Sequence, residues 1–135
     1  MQDLYADDIA FQVFLHVTFP TNRIFDFFLD WINEKPVASK NEESVWKNIQ
    51  IMLNNCFALS DMVRHNVPDT KGRAEAKILE FLAHTNGRMK KEFSYFREFM
   101  INLKEDPSEA EFEEALTAYL QRIIACARDL VEYIR

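Results

Sequence analysis

The chain of 135 residues carries 22 acidic and 16 basic side chains, which gives a formal net charge of -6, and 48% of its residues are hydrophobic. This length and apolar content fit a single domain spanning residues 1–135 with a sizeable core. The net negative charge disfavours generic attraction to nucleic acid or to an anionic membrane, because both need a positive surface. With 2 Gly and 4 Pro, the chain is also poor in the residues that tight turns require. Composition therefore predicts an all-α protein, a compact bundle of four to five helices.

The longest apolar run and the two cysteines indicate the compartment. Residues 9–19, IAFQVFLHVTF, have no basic flank and are fewer than the ~20 residues of a membrane-spanning helix, so no membrane association is predicted. Cys56 and Cys126 lie in separate apolar patterns without a CxxC pair, which is typical of buried free thiols rather than of a disulfide or a zinc site. We therefore expect a soluble protein in the cytoplasm.

The first segment, residues 5–19, fits two kinds of secondary structure. Ile9, Phe11 and Val13 alternate with other residues as they would in a strand, whereas Ile9, Val13 and Val17 have helical spacing. No partner strand is evident elsewhere in the chain, and a lone strand leaves its backbone groups unpaired. We therefore predict a helix that ends before Pro20.

A second helix is predicted over residues 22–34, NRIFDFFLDWINE, and a polar linker follows at 35–44. Aromatic side chains occur on more than one side of this helix, because Phe27 interrupts the polar face. Such a helix either lies at the centre of a bundle or is partly covered by another subunit. Phe19, Phe27 and Trp31 are therefore our candidate interface anchors.

A third helix is predicted over residues 43–64 from apolar side chains that recur along one side. They are Val45, Trp46, Ile49, Met52, Leu53, Cys56, Leu59 and Val63. A loop should follow at 66–72, because Pro68 disfavours helix at the residue before it and Gly72 adds flexibility.

The last helix is predicted over residues 107–134. The sequence DPSE at 106–109 marks its start. Asp106 can cap the helix N-terminus, Pro107 suits the first helical position and Glu109 can reach back to the capping residue. Its apolar stripe consists of Phe112, Ala115, Leu116, Tyr119, Leu120, Ile123, Ala127, Leu130 and Ile134.

The segment between these helices contains the pair Asn86-Gly87. One helix over 73–104, continuous or kinked, is favoured because its apolar stripe keeps the same phase on both sides of this pair. The stripe consists of Leu79, Leu82, Asn86, Met89, Phe93, Phe96, Met100 and Leu103. A break is the alternative, because Asn-Gly favours turns and Gly costs ~1 kcal/mol inside a helix relative to Ala.

The same continuous helix would carry a row of basic side chains, which we call the basic stripe. Its members are Arg73, Lys77, His84, Arg88 and Lys91. Such a row can bind an anion or an acidic partner helix. The alternative is a solvated face whose charges pair with nearby glutamates.

The predicted bundle resembles the HEPN ribonuclease family in architecture only. That family places an Arg four to six residues before a His on one helix. Here Arg64 and His65 are adjacent, and Arg73 and His84 are eleven positions apart. The resemblance therefore implies no catalytic pair, but it leaves a non-catalytic HEPN-like protein as an alternative.

No constellation of residues predicts an enzyme. His16, His65 and His84 lie on separate segments, and two glycines are too few for a Gly-rich phosphate loop. We therefore predict no catalytic residues, no metal and no cofactor. The expected function is a non-enzymatic helical protein–protein interaction module, a scaffold or regulatory subunit that forms a homodimer or other homo-oligomer or binds an acidic or amphipathic partner helix. The alternative is a helical RNA-associated or toxin–antitoxin component that binds nucleic acid through the basic stripe.

Overall fold

The computed structural model describes residues 21–134, with side chains from residue 24 onward. Its five α-helices are α1 Thr21–Trp31, α2 Glu42–Arg64, α3 Arg73–Ala83, α4 Gly87–Ile101 and α5 Glu109–Ile134. No strand occurs within this range, and the predicted all-α bundle is confirmed. The predicted helix at 5–19 and the candidate anchor Phe19 lie outside the described residues.

Helix α2 is the centre of the bundle and packs against α1, α4 and α5. Its predicted apolar side holds, except that Trp46 and Val63 are exposed. Burial also extends beyond that side, because Asn55 and Asp61 are both buried. A helix with neighbours on several sides cannot keep one solvated polar face. The apolar pattern in the sequence therefore identifies only one of the buried sides of α2.

Two asparagines of α2 hold the linker between α1 and α2 against the helix. The Asn55 side chain accepts from the Asn33 backbone N–H and donates to the Asn33 carbonyl, both at 2.9 Å. Asn48, seven positions earlier, makes the same pair of bonds with Val37 at 2.6 and 3.1 Å. Residues seven apart share a helix side, so the linker runs antiparallel along α2 with its backbone groups satisfied.

The loop before α3 provides hydrogen-bond acceptors for the backbone N–H groups at the start of that helix. A short 3₁₀ turn covers Thr70–Gly72, and Gly72 has a φ of +67°. The Asp69 carboxylate accepts from the backbone N–H groups of Ala74 and Glu75 at 2.8 and 3.0 Å. An acidic side chain at this helix end also complements the helix dipole.

Helix α5 begins two residues later than the sequence predicted. Ser108 Oγ accepts from the Glu111 N–H at 3.2 Å, and Glu111 Oε1 accepts from the Ser108 N–H at 3.3 Å. This reciprocal pair is a capping box, so the predicted roles of Asp106, Pro107 and Glu109 in the cap are wrong. The Lys104 ammonium bonds the same carboxylate and, together with Ser108, lowers the pKa of Glu111.

The helix is interrupted at residues 84–86, so the favoured prediction of one continuous helix over 73–104 is wrong. Asn86 has extended backbone angles, and its side chain accepts from the Met89 N–H at 2.9 Å. The asparagine thus caps α4, and the alternative of a break at Asn86-Gly87 is confirmed. The predicted apolar stripe holds only after the break, where Met89, Phe93, Phe96 and Met100 are buried. On α3, Leu79 is 58% exposed and the buried side consists of Ala74, Ile78 and Phe81.

The two glycines of the chain should respond oppositely to alanine. Gly87 lies in the first turn of α4 with an ordinary φ and open space around its Cα, so Gly87→Ala should raise the free energy of unfolding by about 0.5 kcal/mol. Gly72→Ala is the matched comparison, because it also meets open space but has a left-handed φ, and it should lower that energy by about 1 kcal/mol. Urea unfolding of both variants measures this. Destabilisation by Gly87→Ala would contradict the helical assignment.

Candidate functional site

The predicted anchors on α1 occupy different environments. The Phe27 side chain is 65% exposed, and its ring centroid lies 5.6 Å from that of Phe28 and 6.1 Å from that of Trp31. Trp31 is half-buried and stacks on the buried Phe28 with 6.5 Å between centroids. Phe27 is therefore a surface residue, whereas Trp31 contributes to the core as well as to the surface.

A polar cavity of about 430 Å³ lies beside Trp31, where the end of α1 meets α2 and α3. Its lining residues are Asp30, Trp31, Ile32, Asn33, Glu34, Ile51, Asn54 and Lys77. The Lys77 ammonium donates to the Leu29 carbonyl at 2.8 Å and so caps the end of α1. No histidine or cysteine is among the described lining residues of this cavity.

The basic stripe is divided between two helices by the break. Its members have different environments. Lys77 caps α1, Arg88 is held in ion pairs and Arg73 is exposed. His84 Nδ1 lies 2.9 Å from the Glu80 carbonyl oxygen, and Lys91 is exposed. The single row expected of a continuous helix is therefore not formed. Anion binding by these residues stays a prediction.

The most tightly connected charged cluster joins α4 to α5. Glu92 is fully buried, and its carboxylate accepts from Arg88 Nε at 2.9 Å and from Arg122 at 2.7 and 3.1 Å. Arg88 also donates to Asp129. The guanidinium groups satisfy the carboxylate that burial would otherwise leave desolvated. We call these four residues the ion cluster.

Within the ion cluster only Glu92 is fully buried, and Arg88, Arg122 and Asp129 stay partly exposed. The Arg122 guanidinium carbon lies 4.1 Å from the Tyr95 ring centroid, a cation–π distance. Cys126 is buried near it, and burial raises the pKa of its thiol to about 11. Cys56 is also buried and free, which confirms the prediction for both cysteines. The ion cluster therefore holds α4 against α5.

Arg64, the residue compared with the HEPN signature, has a structural role at the end of α4. Its guanidinium donates to the Leu103 carbonyl at 2.7 Å and to the Met100 carbonyl at 3.3 Å. These bonds satisfy carbonyl groups that a helix end leaves without intrahelical donors. Arg64 therefore ties the end of α2 to the end of α4.

The outer side of α5 carries apolar side chains that the core does not cover. Leu120 is 47% and Ile124 is 51% exposed, and Leu116 and Val131 are half-buried. The sequence stripe placed Leu120 in the core and left out Ile124 and Val131. The apolar face of α5 is wider than the predicted stripe. The rest of the chain covers only part of that face.

A second cavity, of about 880 Å³, lies between the linker and the end of α5. Its apolar lining includes Val37, Val45, Met89, Leu130 and Tyr133, and Tyr133 is 85% exposed. This open groove adds to the apolar surface at the C-terminal end of α5.

No protein-family model, no curated protein and no solved structure matches this chain. None of the helices within residues 21–134 combines the length and apolar composition that crossing a membrane requires. In the same residues, no three His, Cys, Asp or Glu side chains are grouped as a metal site would need. Interpretation of function therefore depends on the exposed surfaces.

Proposed function

We propose that the protein is a non-enzymatic helical interaction module, a scaffold or regulatory subunit that associates with itself. The observation that supports this most is the distribution of exposed apolar side chains. Of the eight large hydrophobic residues exposed in the described part of the chain, half lie on α5, namely Leu120, Ile124, Tyr133 and Ile134. Single exposed hydrophobic residues are ordinary, but a group on one helix favours a protein contact.

The contacts that charged side chains make within the fold also support an interaction role. Glu92 and Asp129 neutralise Arg88 and Arg122 at the α4–α5 contact, and Arg64 and Lys77 cap helix ends. These side chains are therefore engaged in stabilising contacts. The apolar side chains left exposed on α5 are the kind of surface that a protein partner covers.

Self-association predicts that thermal stability depends on protein concentration. An assembly that forms only from folded chains stabilises the folded state by mass action, so the unfolding midpoint should rise as concentration increases from micromolar to millimolar. Differential scanning calorimetry measures this midpoint. A midpoint that stays constant across that range would contradict self-association.

Phe27→Asp and Trp31→Asp should have different effects on the fold. An interface anchor must be removable without loss of the fold, and Phe27 is exposed, so Phe27→Asp should change the free energy of unfolding by less than about 0.5 kcal/mol. Trp31→Asp should lower it by about 1.5 kcal/mol because the indole stacks on buried Phe28. Urea unfolding with helix content as the signal compares them. Unfolding of the Phe27→Asp variant would place Phe27 in the core and remove it from the candidate anchors.

A further inference from the structure

The outer side of α5 has the spacing of a coiled-coil seam. Alternating steps of three and four connect Thr117, Leu120, Ile124, Ala127 and Val131. Thr117, Leu120 and Ile124 are exposed and Val131 is half-buried, while Ala127 is covered by the chain's own core. A seam with a period of 3.5 residues presents its apolar side chains to a second helix, and here Thr117, Leu120 and Ile124 are the exposed part of that seam.

The polar edge of this seam is complementary to itself. Glu114, Gln121 and Arg128 are exposed and spaced seven residues apart, so they occupy the same heptad position along one edge. When two identical helices pair antiparallel, equivalent edges face each other in opposite directions. Pairing centred on Gln121 therefore places Glu114 of each copy opposite Arg128 of the second copy. In a parallel pair the same heptad position lies on opposite edges of the two helices, so Glu114 and Arg128 would not face each other.

We propose that two copies of this chain form a two-fold symmetric dimer in which their α5 helices pair antiparallel, centred on Gln121. In this register Leu120 of each copy lies within two residues of the level of Ile124 of the second copy, so the apolar layers and the charged edge are compatible with one alignment. This inference rests on the proposed self-association and names its surface. A different partner helix would have no reason to match the reversed order of Glu114, Gln121 and Arg128.

Cross-linking at the two-fold axis tests the alignment. In a Gln121→Cys variant the two introduced thiols face each other, so a short bis-maleimide should join most of the protein into covalent dimers. Ala125→Cys is the matched control, because it places an exposed thiol on the same helix but away from the seam, and it should remain largely uncross-linked. The native Cys56 and Cys126 are buried with raised thiol pKa values, so they contribute little background. Equal cross-linking of both variants, or of neither, would overturn the proposed alignment.

Charge reversal gives a second test that does not depend on cross-linking. Arg128→Glu and Glu114→Arg, made singly, should each raise the dissociation constant of the dimer roughly tenfold, because each puts like charges opposite each other twice per dimer. The double variant restores opposite charges across the interface and should return to within roughly threefold of the unmodified chain. Sedimentation equilibrium measures these constants. Additive weakening in the double variant would contradict the antiparallel pairing.

The pair Leu120→Glu and Ile124→Glu separates this inference from the proposed function. Both side chains are about half exposed, so the doubly substituted chain should stay folded and become monomeric. A dimer that survives these changes would show that another surface mediates self-association, which would overturn the α5 pairing and leave the proposed function intact. An unmodified chain that is monomeric even at millimolar concentration would overturn both.

Discussion

Glu92→Gln is expected to lower the free energy of unfolding by about 3 kcal/mol. The substitution keeps the shape of the side chain but removes the negative charge that Arg88 and Arg122 share inside the α4–α5 contact. Two guanidinium groups then lack their buried counter-charge. Because both arginines are about one-third exposed, water offsets part of the loss, which places the effect at the lower end of the range for broken buried pairs. Urea unfolding followed by circular dichroism measures the change.

Glu98→Gln is the control for this experiment. It makes the same chemical change on the same helix at an exposed position, so it should change the free energy of unfolding by less than about 0.5 kcal/mol. Equal effects of the two substitutions would show that the buried position of Glu92 in the ion cluster does not matter for stability.

Asn55→Ala is expected to lower the free energy of unfolding by about 2–3 kcal/mol. The substitution removes both hydrogen bonds that hold the Asn33 backbone and leaves space at a fully buried position of α2. It should also loosen the linker, so backbone amide exchange at Asn33 should accelerate. Calorimetry and hydrogen exchange measure the two effects.

The neighbouring Asn54 provides the control. Asn54→Ala removes the same side chain from the same helix, but the Asn54 side chain makes no hydrogen bond to any residue that the structure describes. Its loss should leave both the free energy of unfolding and the exchange rate at Asn33 nearly unchanged. Faster exchange at Asn33 in this control would show that the Asn55 bonds do not hold the linker.

Helix positions could be predicted from the sequence because the apolar spacing of α2 and α5 reflects their burial directly. Helix ends were harder to predict where two local signals compete. At Asn86 the stripe favoured continuity, but the asparagine side chain caps the next helix. At 106–111 the segment offers two capping patterns four residues long, and the one formed is Ser108 with Glu111. Local sequence does not decide such cases, because tertiary packing sets which alternative the chain adopts.

The candidate site could be predicted only in part. Phe27 stood out because it interrupts a polar face, and the structure places it at the surface. The ion cluster could not be predicted, because Glu92 and Arg122 are 30 positions apart and their contact depends on how α5 packs on α4. Exposure of Leu120 likewise depends on which part of a wide apolar face the rest of the chain covers. Sequence gives the width of that face, whereas the fold determines how much of it is left for a partner.

The most direct test of self-association is the mass of the native protein, measured by light scattering on a sizing column at several loading concentrations. We predict a mass that approaches twice the 16.0 kDa of one chain as concentration increases. A mass that stays at 16.0 kDa up to millimolar concentration would contradict the proposal that the exposed apolar face of α5 is an assembly surface.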